Sequence, residues 1–354
     1  MKKGLLCVGH IFLEKYMNIF VAIILLIVGF FCLVKGADWF VDGAAGIAEK
    51  LRVPSLIVGL TIVSFGTSAP ELATSVISSV QGSADIAVGN VVGSNITNIL
   101  LILGIAAVIC PLVVQKSSLL FDFPVLIGSS ALLLLLGAFD KELGRIDGWV
   151  MFILSLAYMG FLIWYAIRES KKSPTMSALN EHEVVVEREE ENKKGFSAWY
   201  EKKKEKAWFL TVLTLVGLAL VVVGALYCVI PSAKAIASKL GVPEKIIGLT
   251  VVAIGTSLPE LVTCVIAAKK GETDIAVGDI VGSNVFNILR TLGLTAMIIP
   301  LPFSLSFVID GLIALFAATL LCVFGYMKGQ KVRRWGGWLM LACFAAYYVY
   351  LFAF

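Results

Sequence analysis

Apolar residues run along this chain in blocks far longer than a buried strand or the stripe of a surface helix requires. Ten windows of mainly apolar residues follow one another, near 17–40, 54–81, 86–112, 119–138, 148–167, 208–230, 243–268, 274–299, 304–325 and 336–354. A helix crosses the hydrocarbon core of a bilayer with ~20 such residues. Lipid offers no partners for backbone N–H and C=O groups, so runs of this kind are predicted to be helices. The short alternation of a barrel strand is absent. The pattern therefore predicts an all-α polytopic membrane protein of ten transmembrane helices.

Sliding the chain against itself by 189 positions aligns GLTIVSFGTSAPELATSVI with GLTVVAIGTSLPELVTCVI, and DIAVGNVVGSNITNILLILG with DIAVGDIVGSNVFNILRTLG. Over residues 53–104, 31 of 52 aligned positions are identical. That is a duplicated unit. If each copy holds five helices, equivalent segments cross the bilayer in opposite directions, an inverted repeat that places a transport site at the midplane between the halves. The expected organisation is an N-terminal leader at 1–16, a first five-helix repeat at 17–167, a charged loop at 168–207 and a second five-helix repeat at 208–354. The leader opens with Lys2 and Lys3, but His10 and Glu14 break its apolar centre, and Met17 is an alternative start.

Composition agrees with the pattern. Only 15% of residues are charged and 59% are hydrophobic, against about 25% charged in a soluble domain. The loop at 168–207 holds ten Lys/Arg and nine Glu, as a solvated connector does. With the spans assigned alternately, the side bearing this loop collects 19 Lys/Arg and the side bearing both termini 8. Positive residues favour the cytoplasm, so the loop is expected inside and the termini outside; without the loop the tally is 9 to 8. Seven cysteines are scattered singly without CxxC spacing. They read as small hydrophobes, with no disulfide framework or zinc site.

The polar residues inside the spans carry the chemistry. A lone acid at a helix centre costs ~2.5–3.5 kcal/mol, yet Glu71 and Glu260 stand at equivalent places in GTSAPE and GTSLPE. A cation is the natural compensation. Pro70 and Pro259 lack an N–H, which frees the carbonyls of Gly66 and Gly255 and opens each helix near Thr67, Ser68, Thr256 and Ser257. Hard cations take oxygen ligands, about 6 to 8 for calcium, and two inverted copies can supply them. GSNITN and GSNVFN add Ser94, Asn95 and Asn98 with Ser283, Asn284 and Asn287; a spacing of four puts Ser94 with Asn98, and Ser283 with Asn287, on one helix face. Helix packing through small residues is the competing explanation for GSN. Asp85, Asp274, Asn90 and Asp279 are expected to cap or charge the first turns of the third and eighth helices.

The paired GTSxPE and GSNxxN motifs, in order and at matching offsets, resemble the alpha-repeats of the sodium/calcium exchangers, within the calcium/cation antiporter superfamily. The resemblance covers essentially the whole chain beyond residue 16. It implies the ten-helix exchanger fold, with the second, third, seventh and eighth helices enclosing the cation sites. Carried over by motif position, it implies calcium ligation by Glu71 and Glu260 with the carbonyls of Thr67 and Thr256. Flanking sodium sites would be formed by Ser68, Ser257, Ser94, Ser283 and the backbone at Ser64 and Ala253, with Asn98 and Asn287 lining the middle. The potassium-dependent branch carries an aspartate where Asn287 stands, and proton-driven relatives have a different acidic motif, which favours sodium as the driving ion. Arg290, whose repeat mate is Leu101, departs from the pattern. It either reaches a watery cleft or an acid, or it repels or partly replaces a cation and so modulates transport.

The expected function is exchange of calcium for sodium by alternating access, with a proton-coupled divalent antiporter as the nearest alternative. A cation channel would use similar residues. An enzyme is disfavoured: both histidines, His10 and His182, lie outside the spans, and HExxH and GxSxG are absent. No cofactor and no nucleic acid are expected; the partners are the lipid bilayer of a bacterial or archaeal plasma membrane and the transported Ca2+ and Na+ ions.

Overall fold

The computed structural model describes residues 18–50, 68–116, 118–172, 207–271, 273–327 and 329–353. In chain order these form α1 (Ile19–Lys50), α2 (Ala69–Val80), α3 (Ala84–Ile109), α4 (Ser118–Asp140), α5 (Arg145–Lys172) and α6 (Trp208–Leu240). The second half gives α7 (Glu244–Thr256), α8 (Leu258–Lys270), α9, α10 (Leu305–Tyr326) and α11 (Arg334–Ala353). Helix α9 runs as Thr273–Phe286, Asn287–Leu292 and Gly293–Ile298, the middle piece being π-helical. Among the described residues seven helices are long and apolar enough to span a membrane, eight if the bent pair α7–α8 counts as one. Helix α9 is more polar than these, carrying Asp274, Asp279, Asn284, Asn287 and Arg290. Helix α2 is the described part of the span expected at 54–81.

The ends differ from the apolar windows where packing continues beyond them. Helix α1 extends to Lys50 instead of stopping near 40, because its small residues still lie against α6. A Cβ on Gly36 would meet the Gly217 carbonyl at 2.7 Å, and one on Gly43 would meet the Leu210 carbonyl at 2.7 Å. Such closeness is how helices associate in a membrane, where apolar contact alone gives no advantage over lipid. Helix α6 likewise runs on through Pro231 to Leu240 and stops at Gly241, whose φ of +64° suits glycine.

The inverted repeat extends down to single dihedral angles and reaches well beyond the aligned motifs. Gly82 and Gly271, 189 apart, both take φ of +82°. Four two-residue strands, which the hydrophobic pattern did not reveal, obey the same offset: β1 (Leu112–Val113), β2 (Glu142–Leu143), β3 (Leu301–Pro302) and β4 (Lys331–Val332). Strand β1 pairs antiparallel with β4, Leu112 opposite Val332; β2 pairs with β3, Leu143 opposite Leu301. Each pair is the repeat image of the other. Lys141 and Gln330, again equivalent, enter β2 and β4 through left-handed turns at φ 56° and 49°.

Two apolar clusters frame the motif-bearing helices. One is built from α3, α4, α5 and α8 to α11, including Phe123, Phe303 and Phe307. The other joins α1, α6 and α7 around Leu33, Val221, Ile230 and Ile247. Helices α3 and α7 contribute to both.

Candidate functional site

Helix α7 ends at Thr256, and α8 starts at Leu258, after a single intervening residue, at an angle of 49°. Ser257 forms the hinge at φ −83°, ψ 9°, with Pro259 in the next turn. Pro259 has no N–H to give the Gly255 carbonyl, so the helix cannot run straight through. In the first repeat the described residues begin with the same backbone at the equivalent place: Ser68 has φ −87°, ψ 5°, and Pro70 lies in the first turn of α2. As a result Glu71 and Glu260 each occupy the first turn of a helix. That is the end where the exposed N–H groups and the helix dipole favour negative charge. Two helix N-termini, each with its acid, thus face the interior of the protein.

Both carboxylates are completely buried and lie within Coulombic range of each other. Ser257 Oγ donates to Glu71 Oε1 at 3.4 Å, which links the acid of one repeat to the break of the other. Among the described residues Glu71 Oε2 and both oxygens of Glu260 have no hydrogen-bond partner, and neither has Ser68 Oγ. Ser94 Oγ reaches the Ala253 carbonyl at 3.4 Å and Thr256 Oγ1 at 3.5 Å, so three expected site residues from opposite repeats meet. Deeper along α3 and α9, Asn95 Nδ2 donates to the Asn284 carbonyl at 3.2 Å and Asn284 Nδ2 to the Asn95 carbonyl at 3.1 Å. This reciprocal bond lies on the pseudo-twofold axis.

Asn98 Nδ2 donates to Asn284 Oδ1 at 2.9 Å, while Asn98 Oδ1 and both polar atoms of the Asn287 amide are buried without partners. These asparagines sit where α3 and α9 widen into π-helix, at Thr97–Leu103 and Asn287–Leu292, a distortion frequent at functional sites. Ser283 is buried on α9 at the repeat position of Ser94. Ser64 and Thr67 lie outside the described residues. The remaining site residues expected from the sequence, Glu71, Glu260, Ser68, Ser257, Thr256, Ala253, Ser94, Asn98 and Asn287, are all buried.

Two expectations need correction. Asn90 is no cap: it is fully buried within α3, where its amide donates to Ser75 Oγ at 3.0 Å and to the Glu71 carbonyl at 3.3 Å, and accepts from Thr256 Oγ1 at 3.0 Å. Asp279 is no cap either, since it accepts from Thr263 Oγ1 at 3.1 Å in the body of α9. Their distance past the Ser-Ala-Asp and Thr-Asp helix starts was the signal available. Arg290 is enclosed by protein, 9% exposed, with its guanidinium 4.4 Å from the centre of the Phe286 ring. Among the described residues no three His, Cys, Asp or Glu side chains gather as for a tightly held metal. What the site offers is two acids surrounded by hydroxyl, amide and carbonyl oxygens. Such a set suits a hard cation that must also leave.

Comparison with known proteins places this architecture. The family model described as "Sodium/calcium exchanger protein" matches residues 21–164 and 209–353. The chain belongs to the sodium/calcium exchanger family. It is therefore an integral membrane transporter and not an enzyme, with an all-α exchanger fold built on two repeats. It is 36% identical over 349 residues to the sodium/calcium exchanger MaX1 of Methanosarcina acetivorans, covering 93% of this chain and 98% of that one. It is 37% identical over 279 residues to the inner membrane protein YrbG of Escherichia coli, covering 78% and 79%. Among solved structures, the sodium-calcium exchanger NCX_Mj soaked with Na+ and Sr2+ superposes with a TM-score of 0.60 at 28% identity, over 93% of this chain and 98% of that one.

Proposed function

We propose that this family member exchanges Ca2+ for Na+ by alternating access, with Glu71 and Glu260 as the shared cation site. The observation that carries this reading is the pair of fully buried acids, one in each repeat, with three of their four oxygens lacking hydrogen-bond partners among the described residues. Left empty, two ionised carboxylates in a low-dielectric interior repel each other strongly. Calcium, or sodium ions in its place, cancels that repulsion, so a loaded site crosses the closed intermediate more readily than an empty one. Exchange instead of leak follows. The carbonyls of Thr67 and Thr256 complete the calcium position. Ser68, Ser257, Ser94, Ser283 and the backbone at Ser64 and Ala253 serve flanking sodium ions, and Asn98 and Asn287 line the middle.

The same reading keeps residues 1–16 as a leader, 17–167 and 208–354 as the two five-helix repeats, and 168–207 as a cytoplasmic loop with both termini outside, in a prokaryotic plasma membrane. Arg290 is the modulating residue: Arg290→Leu, which restores the residue at the equivalent place in the first repeat, is expected to change sodium dependence or the charge moved per cycle. Each elementary charge is worth ~2.3 kcal/mol per 100 mV, so the voltage dependence of flux reads this directly. The deciding experiment for the function is calcium uptake into proteoliposomes under sodium, proton and potassium gradients in turn. Uptake that follows the sodium gradient supports the proposal. Uptake that follows only a pH gradient, or needs no counter-ion, overturns it.

A further inference from the structure

We propose that Asp279 is a third cation-attracting carboxylate, placed beside Glu260 on one repeat only, and that it sets the affinity of the site for calcium. The inference rests on the reading of Glu71 and Glu260 as the cation site, and it begins from a difference between the repeats. In the first, position 90 is a neutral amide whose every arm is used, toward Ser75, the Glu71 carbonyl and Thr256. In the second, the equivalent residue is an acid and the equivalent of Ser75 is Cys264. A carboxylate cannot donate as the Asn90 amide does, so the carbonyl of Glu260 takes its bond from Thr263 instead. Thr263 Oγ1 lies 3.1 Å from the Glu260 carbonyl and 3.1 Å from Asp279 Oδ2. The same hydroxyl also lies 3.1 Å from the Pro259 carbonyl, so one proton serves three acceptors and leaves the Asp279 carboxylate weakly neutralised.

Beside it stands the group that asks for a cation. Both oxygens of Glu260 are without partners and the residue is fully buried, whereas Glu71 receives the Ser257 hydroxyl. The half of the site with the less satisfied glutamate is thus also the half with the extra acid. Asp279 lies within Coulombic range of Glu260, and a cation at the edge of the site stabilises both charges. A divalent ion gains more from the added charge than a monovalent one, so Asp279 favours calcium over sodium.

The test is equilibrium binding of radioactive calcium to the purified full-length protein in detergent, with sodium as competitor, for the parent, Asp279→Asn and Asp279→Glu. Asp279→Asn, which gives the second repeat the residue of the first, is expected to weaken calcium binding about tenfold by loss of a nearby unit charge. It should also lower the sodium concentration needed for displacement. Asp279→Glu keeps the charge and is expected to stay within about threefold of the parent. Unchanged calcium affinity in a monodisperse Asp279→Asn protein overturns the inference. So does an equal loss in Asp279→Glu, which would indicate that shape and not charge matters. Glu260→Gln separates the two layers: if it binds calcium like the parent, the cation site itself is misplaced, whatever Asp279 does.

Discussion

The two repeats share a skeleton and differ in charge. Backbone features recur at the 189-residue offset with little variation, in the breaks at Ser68 and Ser257, the left-handed glycines 82 and 271, the turns at Lys141 and Gln330 and the two crossed strand pairs. The motif acids, hydroxyls and amides recur too, but several charges do not: Asn90 corresponds to Asp279, Leu101 to Arg290, and Leu56 to Lys245. The difference teaches that the inverted geometry is what the fold requires, since only it places two acids face to face. The charges around that geometry are free to diverge and to give the two halves unequal tasks.

A second comparison makes the same point at the periphery. Tyr158 on α5 donates to Asp122 at 2.9 Å, and its repeat mate Tyr347 on α11 donates to Asp310 at 3.2 Å. The two aspartates are out of register by one residue, and the π-helical stretch Ser118–Asp122 takes up the slip. Asp310 alone also has a lysine: Lys245, at the start of α7, forms an ion pair with it and lies 4.9 Å from the Phe307 ring. That pair ties the broken helix to the α10–α11 frame in the second repeat only.

The largest expected effect tests the symmetry of the site itself. Glu71→Gln and Glu260→Gln should each reduce sodium-driven calcium flux at least ~100-fold, because a neutral amide is a poor substitute for a hard-cation carboxylate, while membrane insertion stays normal. Near-normal flux in both variants would remove the glutamates from the mechanism. Next comes the peripheral asymmetry. Asp310→Asn leaves Lys245 without its counter-charge in a buried setting and should cost about 3–5 kcal/mol, whereas Asp122→Asn keeps an acceptor for the Tyr158 hydroxyl and loses only the charge on it, about 1 kcal/mol. Thermal unfolding in detergent gives both values; equal losses would deny Lys245 its role. The smallest effect sharpens the comparison most. Asn95→Ala and Asn284→Ala each remove half of a reciprocal pair, about 0.6 kcal/mol, but Asn284 also accepts from Asn98, so Asn284→Ala should cost about twice as much; equal losses in thermal unfolding would deny the Asn98 bond a role.

Much of this was readable in the sequence, and for specific reasons. Duplicated GTSxPE and GSNxxN segments revealed the repeat, and a proline one residue before each glutamate revealed the breaks. Where the residues are described, the apolar windows coincide with helices, one of them, 243–268, holding the broken pair α7–α8. What stayed hidden depends on contacts between distant residues. Strands of two residues have no periodicity to detect, and Leu112 and Val332 pair only because the whole fold brings them together. The true place of Asn90 needed its three partners, which lie on α2 and α7. The lengths of α1 and α6 were underestimated because small packed residues, not long apolar runs, carry them past the windows: Gly43 of α1 against α6, and buried Ser232, Ala233, Ala235 and Ala237 at the end of α6.

The crossed strand pairs bear on how such a molecule could have arisen. Strand β1 closes on an edge belonging to the other half, and β2 does the same on the opposite face of the membrane. A gene product of half this length would therefore carry two open edges, 112–113 and 142–143, each complementary to the other on a second copy turned upside down. Two such copies would close both edges on each other, as the fused halves do here.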